Sequence, residues 1–128
     1  MSDLIEKLNQ TLREYGVEVK FSKNAKQDFK SYGKDEKTNI ISMLVLQAKK
    51  GPLLKPDGNG KPLHKELAGF AKIKRNDLSL RIIYRPRRAD ELVVMEVIAI
   101  GPRDKEEVYR MAMRRLINFF DEMEHGKE

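Results

Sequence analysis

From Leu92 to Ile100 the chain reads Leu-Val-Val-Met-Glu-Val-Ile-Ala-Ile, an apolar β-forming run interrupted only by Glu96. Such a run suits a central strand buried on much of both faces, and so commits the chain to a sheet. Gly101, Pro102 and Arg103 follow, so Arg103 leaves the end of that strand. Asp104 and Glu107 are spaced as a capping box, which predicts a long helix to about His125 with Gly126 as its stop. Its expected core stripe is Val108, Ala112, Leu116, Phe120 and Met123. Tyr109 lies off that stripe, one turn into the helix, where its hydroxyl can face the end of the sheet. From Phe119 onward the helix carries more apolar surface than one seam requires, which points to a partner contact.

Upstream, Leu4, Ile5, Leu8, Leu12 and Tyr15 recur at helical spacing before Gly16, predicting an amphipathic helix over 2–15. It reads either as a cover for an edge of the core or as a dimer or partner contact. Were it to fold over a charged working face, it would act as an internal brake. Val17 to Phe21 alternates apolar and polar residues, as a half-buried strand does. Ser22 is placed to cap a helix to about Tyr32 with Ala25, Phe29 and Tyr32 inward, ended by Gly33. Asp35 is the expected cap of a second helix that buries Ile40, Ile41, Leu44, Val45 and Ala48 and stops at Gly51 and Pro52. The two make a hairpin that must cover a sheet. Residues 52–62 are rich in turn formers and read as a loop.

Ala71 to Pro86 reads as two short strands around a turn at Asn76 and Asp77. Side chains alternate faces along a strand. A register burying Ile73 with Ile82 and Tyr84 therefore leaves Lys72, Lys74, Arg81 and Arg85 on one open face. Like charges opposite each other across strands are destabilising, so this cluster points to an anionic partner. The window Lys61 to Arg88 holds Lys61, Lys65, Lys72, Lys74, Arg75, Arg81, Arg85, Arg87 and Arg88 against Glu66 and Asp77, whereas the whole chain carries a net +6. The positive field thus belongs to this window and the remainder is near neutral; a solvated basic surface is the alternative reading.

With no cysteine among 128 residues, disulfides, a cysteine nucleophile and thiolate metal sites are excluded. No spacing of His, Asp and Glu resembles a metal site, and no phosphate-binding Gly-rich loop is present. His64 and His125 read as surface histidines, with general acid or base work as the alternative for His64. No signal-peptide pattern and no stretch near about 20 apolar residues occurs, so a single cytoplasmic domain over residues 1–128, with no membrane partner, is expected.

The assembled pattern resembles the RelE branch of the RelE/ParE toxin superfamily of bacterial type II toxin-antitoxin systems. The likeness spans roughly Val17 to Leu116. It rests on Lys61-Pro-Leu63, Leu67-Ala-Gly69, Lys72-Ile-Lys74, Arg81-Ile-Ile-Tyr84, Ile100-Gly-Pro-Arg103 and Glu107-Val-Tyr109, in that order. It implies an α+β RelE-like fold: a small, twisted, mostly antiparallel four-stranded sheet with a helix hairpin on one face. To this are added an N-terminal helix (1–16) and a long C-terminal helix (104–125). Position by position it implies that Lys72, Lys74, Arg81, Arg103 and Tyr109 match the family's RNA-cleaving set, with Lys61, Lys65, Arg75, Arg85 and Arg87 as further RNA contacts. Family members of this kind cut mRNA in the ribosomal decoding site without a cofactor or metal and are silenced by an antitoxin, as a dimer or heterotetramer. A neighbouring branch uses a Glu and a His as base and acid; the matching residues are absent here.

The implied chemistry is attack of a ribose 2′-OH on its adjacent phosphate. Lys74 or Lys72 is the expected base, since neighbouring cations lower the pKa of a lysine from its usual value of about 10.4. Arg81 would clamp the phosphate, Arg103 would serve the leaving 5′-oxygen, and Tyr109 would stack on a base or fix the 2′-OH. A ParE-like gyrase poison and a non-catalytic RNA- or ribosome-binding module are the rival readings.

Overall fold

The computed structural model describes residues 2–75 and 77–125, and the side chains of all of these but Ser2, Asp3, Lys105 and His125. Asn76 of the expected turn and Gly126, the expected stop, lie outside the described residues, as does the side chain of His125. The elements in order are α1 (Ser2–Leu12), β1 (Val17–Phe21), α2 (Lys23–Ser31), α3 (Lys34–Lys50), β2 (Lys61–Pro62), β3 (Ala71–Lys74), β4 (Leu80–Ala89), β5 (Leu92–Pro102) and α4 (Glu107–His125). Single 3-10 turns stand at Arg13–Tyr15, Lys65–Leu67 and Asp104–Glu106.

The sheet has the order β1-β5-β4-β3-β2, with β1 parallel to β5 and every other pair antiparallel. The class is the α+β one expected, but the strands number five, not four. The extra one is β2, where Lys61 and Pro62 pair with Lys72 and Ala71. Two residues inside a turn-rich loop carry no periodicity, so nothing local announces such a strand.

Two cores flank the sheet. On one face Ile73, Leu80, Ile82, Tyr84, Val97 and Ile100 pack under α1, α2 and α3, whose Leu8, Leu12, Phe29, Ile40, Met43 and Leu44 are buried. On the other, Ile83, Ile98 and Ala99 pack under Val108, Ala112 and Phe119 of α4, with Leu67 and Phe70. A bulge divides β5 between them. Ile83 pairs with Ala99 and Tyr84 with Val97, so the extra residue Ile98 joins Ala99 on the α4 side.

The helix termini differ in detail from the expectation. Ser22 Oγ does accept from Ala25 N at 3.1 Å and caps α2. For α3 the N-cap is Gly33, and Asp35 sits inside the first turn beside Glu36, where carboxylates favour the positive end of the helix dipole. Asp104 begins a 3-10 turn and the α-helix starts only at Glu107, so the expected capping box is displaced. In α4 Phe119, not Phe120, enters the core, and Phe120 is exposed. Tyr15 and Leu4 of the first helix are also exposed, leaving Leu8 and Leu12 as its buried residues.

Helix α1 closes the sheet at β1. Asn9 Nδ2 donates to Val19 O at 3.1 Å and Asn9 Oδ1 accepts from Val19 N at 2.8 Å, which satisfies the outer edge of that strand at Val19. The idea of an N-terminal brake over the cations fails here, because β1 and β3 lie toward opposite edges of the sheet. Beyond the end of β1, Asp28 and Arg115 serve β5 instead. Asp28 Oδ2 accepts from Ile100 N at 3.0 Å, Arg115 Nη1 donates to Ile98 O at 2.9 Å, and the two side chains form a bidentate pair at 2.7 and 3.0 Å. This pair ties α2 to α4 across the bulge.

Candidate functional site

The register of β3 with β4 sets Ile73 opposite Ile82 and Ala71 opposite Tyr84, in the core, as the apolar alternation requires. On the other face Lys72 lies opposite Ile83 and Lys74 opposite Arg81; Lys61 on β2 lies opposite Lys72. Lys61, Lys72, Lys74 and Arg81 thus form one cluster on rigid backbone. This face is not wholly open, because α4 covers Ile83 and Ala99; what remains uncovered is its β3 side. Gly101, the cross-strand partner of Arg81, lets α4 come close: a Cβ there would lie 3.0 Å from Met111 Sδ and 3.3 Å from Val108 Cβ.

Electrostatics follow from this crowding. The Lys74 ammonium is held below the usual lysine range, chiefly by Lys61, then by Lys72, with partial desolvation and Arg81 adding to the effect. Arg81 Nη1 makes only a 3.4 Å contact to Leu80 O, and among the described residues it pairs with no carboxylate. Arg103 follows β5, with its N–H donating to Ser79 O at 3.1 Å at the end where β4 begins. Tyr109, half-buried, packs on the α4-side core one position after Val108. Arg103 thus stands at the end of the sheet where β4 begins, and Tyr109 follows Val108, which closes on Gly101 opposite Arg81.

The other cations expected on RNA divide. Lys65 is exposed on a 3-10 turn with φ +57. Arg75 holds Asp77 through Nε at 3.2 Å and Nη2 at 2.8 Å, and this draws the Asp77 carboxyl below its usual range. Arg85 and Arg87, expected as phosphate contacts, are committed to Glu96. Arg85 Nε and Nη2 donate to Glu96 Oε1 at 2.9 and 2.8 Å, and Arg87 Nε donates to Oε2 at 2.8 Å. Glu96 is fully buried. Arg85 also lies over the rings of Phe119 and Phe120, at 5.4 and 5.1 Å from their centroids, which gives the exposed Phe120 its structural place. The single charge inside the apolar run of β5 was the available signal for this arrangement. Sequence reasoning also missed Lys50 and Lys55, which line one groove together with Lys61, Lys72 and Lys74. Their signal, a basic final turn and a loop lysine, is too common to single them out.

A sheet with a helical layer on each face and a cation cluster along one uncovered margin defines a small α+β protein. Among solved structures it is similar to a free-state arginine-to-alanine double mutant of E. coli toxin RelE, at 24% identity over 77% of this chain and 95% of that one, with a TM-score of 0.57. It is also similar to the isolated E. coli RelE toxin, at 24% identity over 77% and 96%, with a TM-score of 0.51. The toxin-antitoxin complex RelBE2 from Mycobacterium tuberculosis matches at 28% identity over 66% and 95%, with a TM-score of 0.43. Neither a family model nor a curated protein matches the sequence. The chain has a RelE-like fold.

Proposed function

We propose that this chain is the toxin of a type II toxin-antitoxin pair and a ribosome-dependent endoribonuclease that cuts mRNA. The observation that carries the reading is the cross-strand cluster of Lys72, Lys74 and Arg81 within a RelE-like fold. Lys74, with its pKa lowered by its neighbours, takes the proton of the 2′-OH as that oxygen attacks the adjacent phosphorus. The P–O bond to the 5′-oxygen breaks, leaving a cyclic phosphate on one fragment and a 5′-hydroxyl on the other. Arg81 clamps the phosphate and stabilises charge on its equatorial oxygens, with Lys72 beside it. Arg103 stabilises the departing 5′-oxygen, which takes its proton from solvent water, and Tyr109 stacks on a base, a contact worth about 1–3 kcal/mol. Such weak acid-base groups need the ribosome to position the message, an effect that reaches about 7–11 kcal/mol. A cognate antitoxin in the cytoplasm silences the toxin by covering this face.

Primer extension on a message under translation in a cell-free bacterial system tests this, comparing wild type with Lys74→Ala and Arg81→Ala. Cuts within codons that require ribosomes and vanish in both variants are expected. Intact messages together with arrested growth refute the nuclease reading, and gyrase poisoning or passive ribosome binding then takes its place.

A further inference from the structure

The edge of β3 away from β4 is only partly covered. Strand β2 pairs with Ala71 and Lys72 alone, and beyond it Ile73 and Lys74 border a groove of about 230 Å³ closed by the end of α3 and the following loop. Five lysines line it: Lys50, Lys55, Lys61, Lys72 and Lys74. No carboxylate lines it, and among the described residues none of the five pairs with one. Such a gathering of like charges is unfavourable unless an anion sits among them. The floor supplies no apolar pocket, because Ile73 is buried and Gln47 spends its Nε2 on Gly51 O at 3.1 Å. A ligand of this groove is therefore held by charge rather than by side-chain packing.

Lys72 and Lys74 belong to both places. They stand on the catalytic face beside Arg81 and also on the rim of the groove. We propose that the groove seats a second phosphate of the same RNA strand, next to the one held for cleavage, so that the strand crosses the edge of β3 with Lys50 and Lys55 on its far side. This rests on the ribonuclease reading and adds to it a direction for the RNA. Lysine suits the role, binding phosphate as a point charge without demanding one geometry.

The test uses the full chain and a single-stranded 2′-O-methyl RNA oligonucleotide, which cannot be cut because its 2′-oxygens carry no proton. Affinity is followed by fluorescence anisotropy across a salt series for wild type, Lys50→Gln/Lys55→Gln and Arg81→Ala. For single strands, each phosphate that goes unneutralised flattens the log–log salt slope by about 0.7. The double variant is expected to bind several-fold more weakly with such a flattening. Because both lysines are exposed, its thermal midpoint should stay level or rise. Unchanged affinity and slope in the double variant, with Arg81→Ala still weakened, overturn the proposal. So does loss of binding to an acidic peptide while RNA binding is unchanged, which assigns the groove to a protein partner that extends the free strand edge. Failure of the nuclease reading shows separately, as messages that wild type leaves intact.

Discussion

Replacing Glu96 with Gln keeps the shape of the side chain and removes the one charge that holds Arg85 and Arg87. Glu96 is fully buried, and the Arg85 side chain, against Phe119 and Phe120, is only 19% exposed, so Arg85 has little access to water. Arg87 is 45% exposed and can turn outward. Breaking a buried ion pair costs about 3–5 kcal/mol, because the surviving charge is stranded. Since one of the two arginines can escape, the expected loss is roughly 2–3 kcal/mol. For a chain between the small and larger size classes, 1 kcal/mol moves the thermal midpoint by about 3–4 °C, so a fall of roughly 6–12 °C should follow. Urea unfolding followed by circular dichroism measures the loss directly. Arg87→Gln should cost under about 1 kcal/mol, as exposed pairs do. Glu96→Met with Arg85→Met should recover a large part of what Glu96→Gln loses, since an apolar pair strands no charge. A Glu96→Gln protein within about 0.5 kcal/mol of wild type refutes the reasoning, because surface substitutions alone are that mild. So does an Arg87→Gln loss as large as that of Glu96→Gln.

Three further outcomes follow from the same structure. The Tyr84 hydroxyl, buried and donating to Pro52 O at 2.6 Å, has its pKa pushed well above the usual tyrosine value by desolvation; Tyr84→Phe should cost about 1–3 kcal/mol in urea unfolding by leaving that carbonyl unpaired. Removing Lys61 relieves the largest repulsion on Lys74, so Lys61→Gln should raise the Lys74 pKa toward its ordinary value in a side-chain NMR titration. The sign follows from charge: with a folded pKa below the unfolded one, Lys74 binds fewer protons when folded, so stability rises with pH through the window between the two, and Lys61→Gln narrows that window. A double-mutant cycle on Asp28→Asn and Arg115→Gln should give a coupling of about 1.5–3 kcal/mol for the bidentate pair across β5; additive losses would refute a direct interaction.

What was legible in the sequence was what neighbours along the chain decide. Alternation at Val17 to Phe21 and the cap at Ser22 are local, and both stand where expected. The register of Ile73 with Ile82 follows because a one-residue slip would turn every lysine of β3 into the core. The same constraint put Lys72, Lys74 and Arg81 on one face from sequence alone. Tertiary structure decided what depends on residues far apart in the chain. Glu96 reaches across the strand pair to bind Arg85 and Arg87, and the bulge at Ile98 sends two consecutive residues of β5 to one side. Helix α4 lies over half of that face and buries Phe119, while Phe120 covers Arg85. The end of α3 brings Lys50 into the groove that Lys74 also lines, past a two-residue strand that no pattern marks. Periodicity says which way a side chain points; only packing says what it meets there, because that is set by burial and charge pairing between segments whose separation along the chain carries no signal.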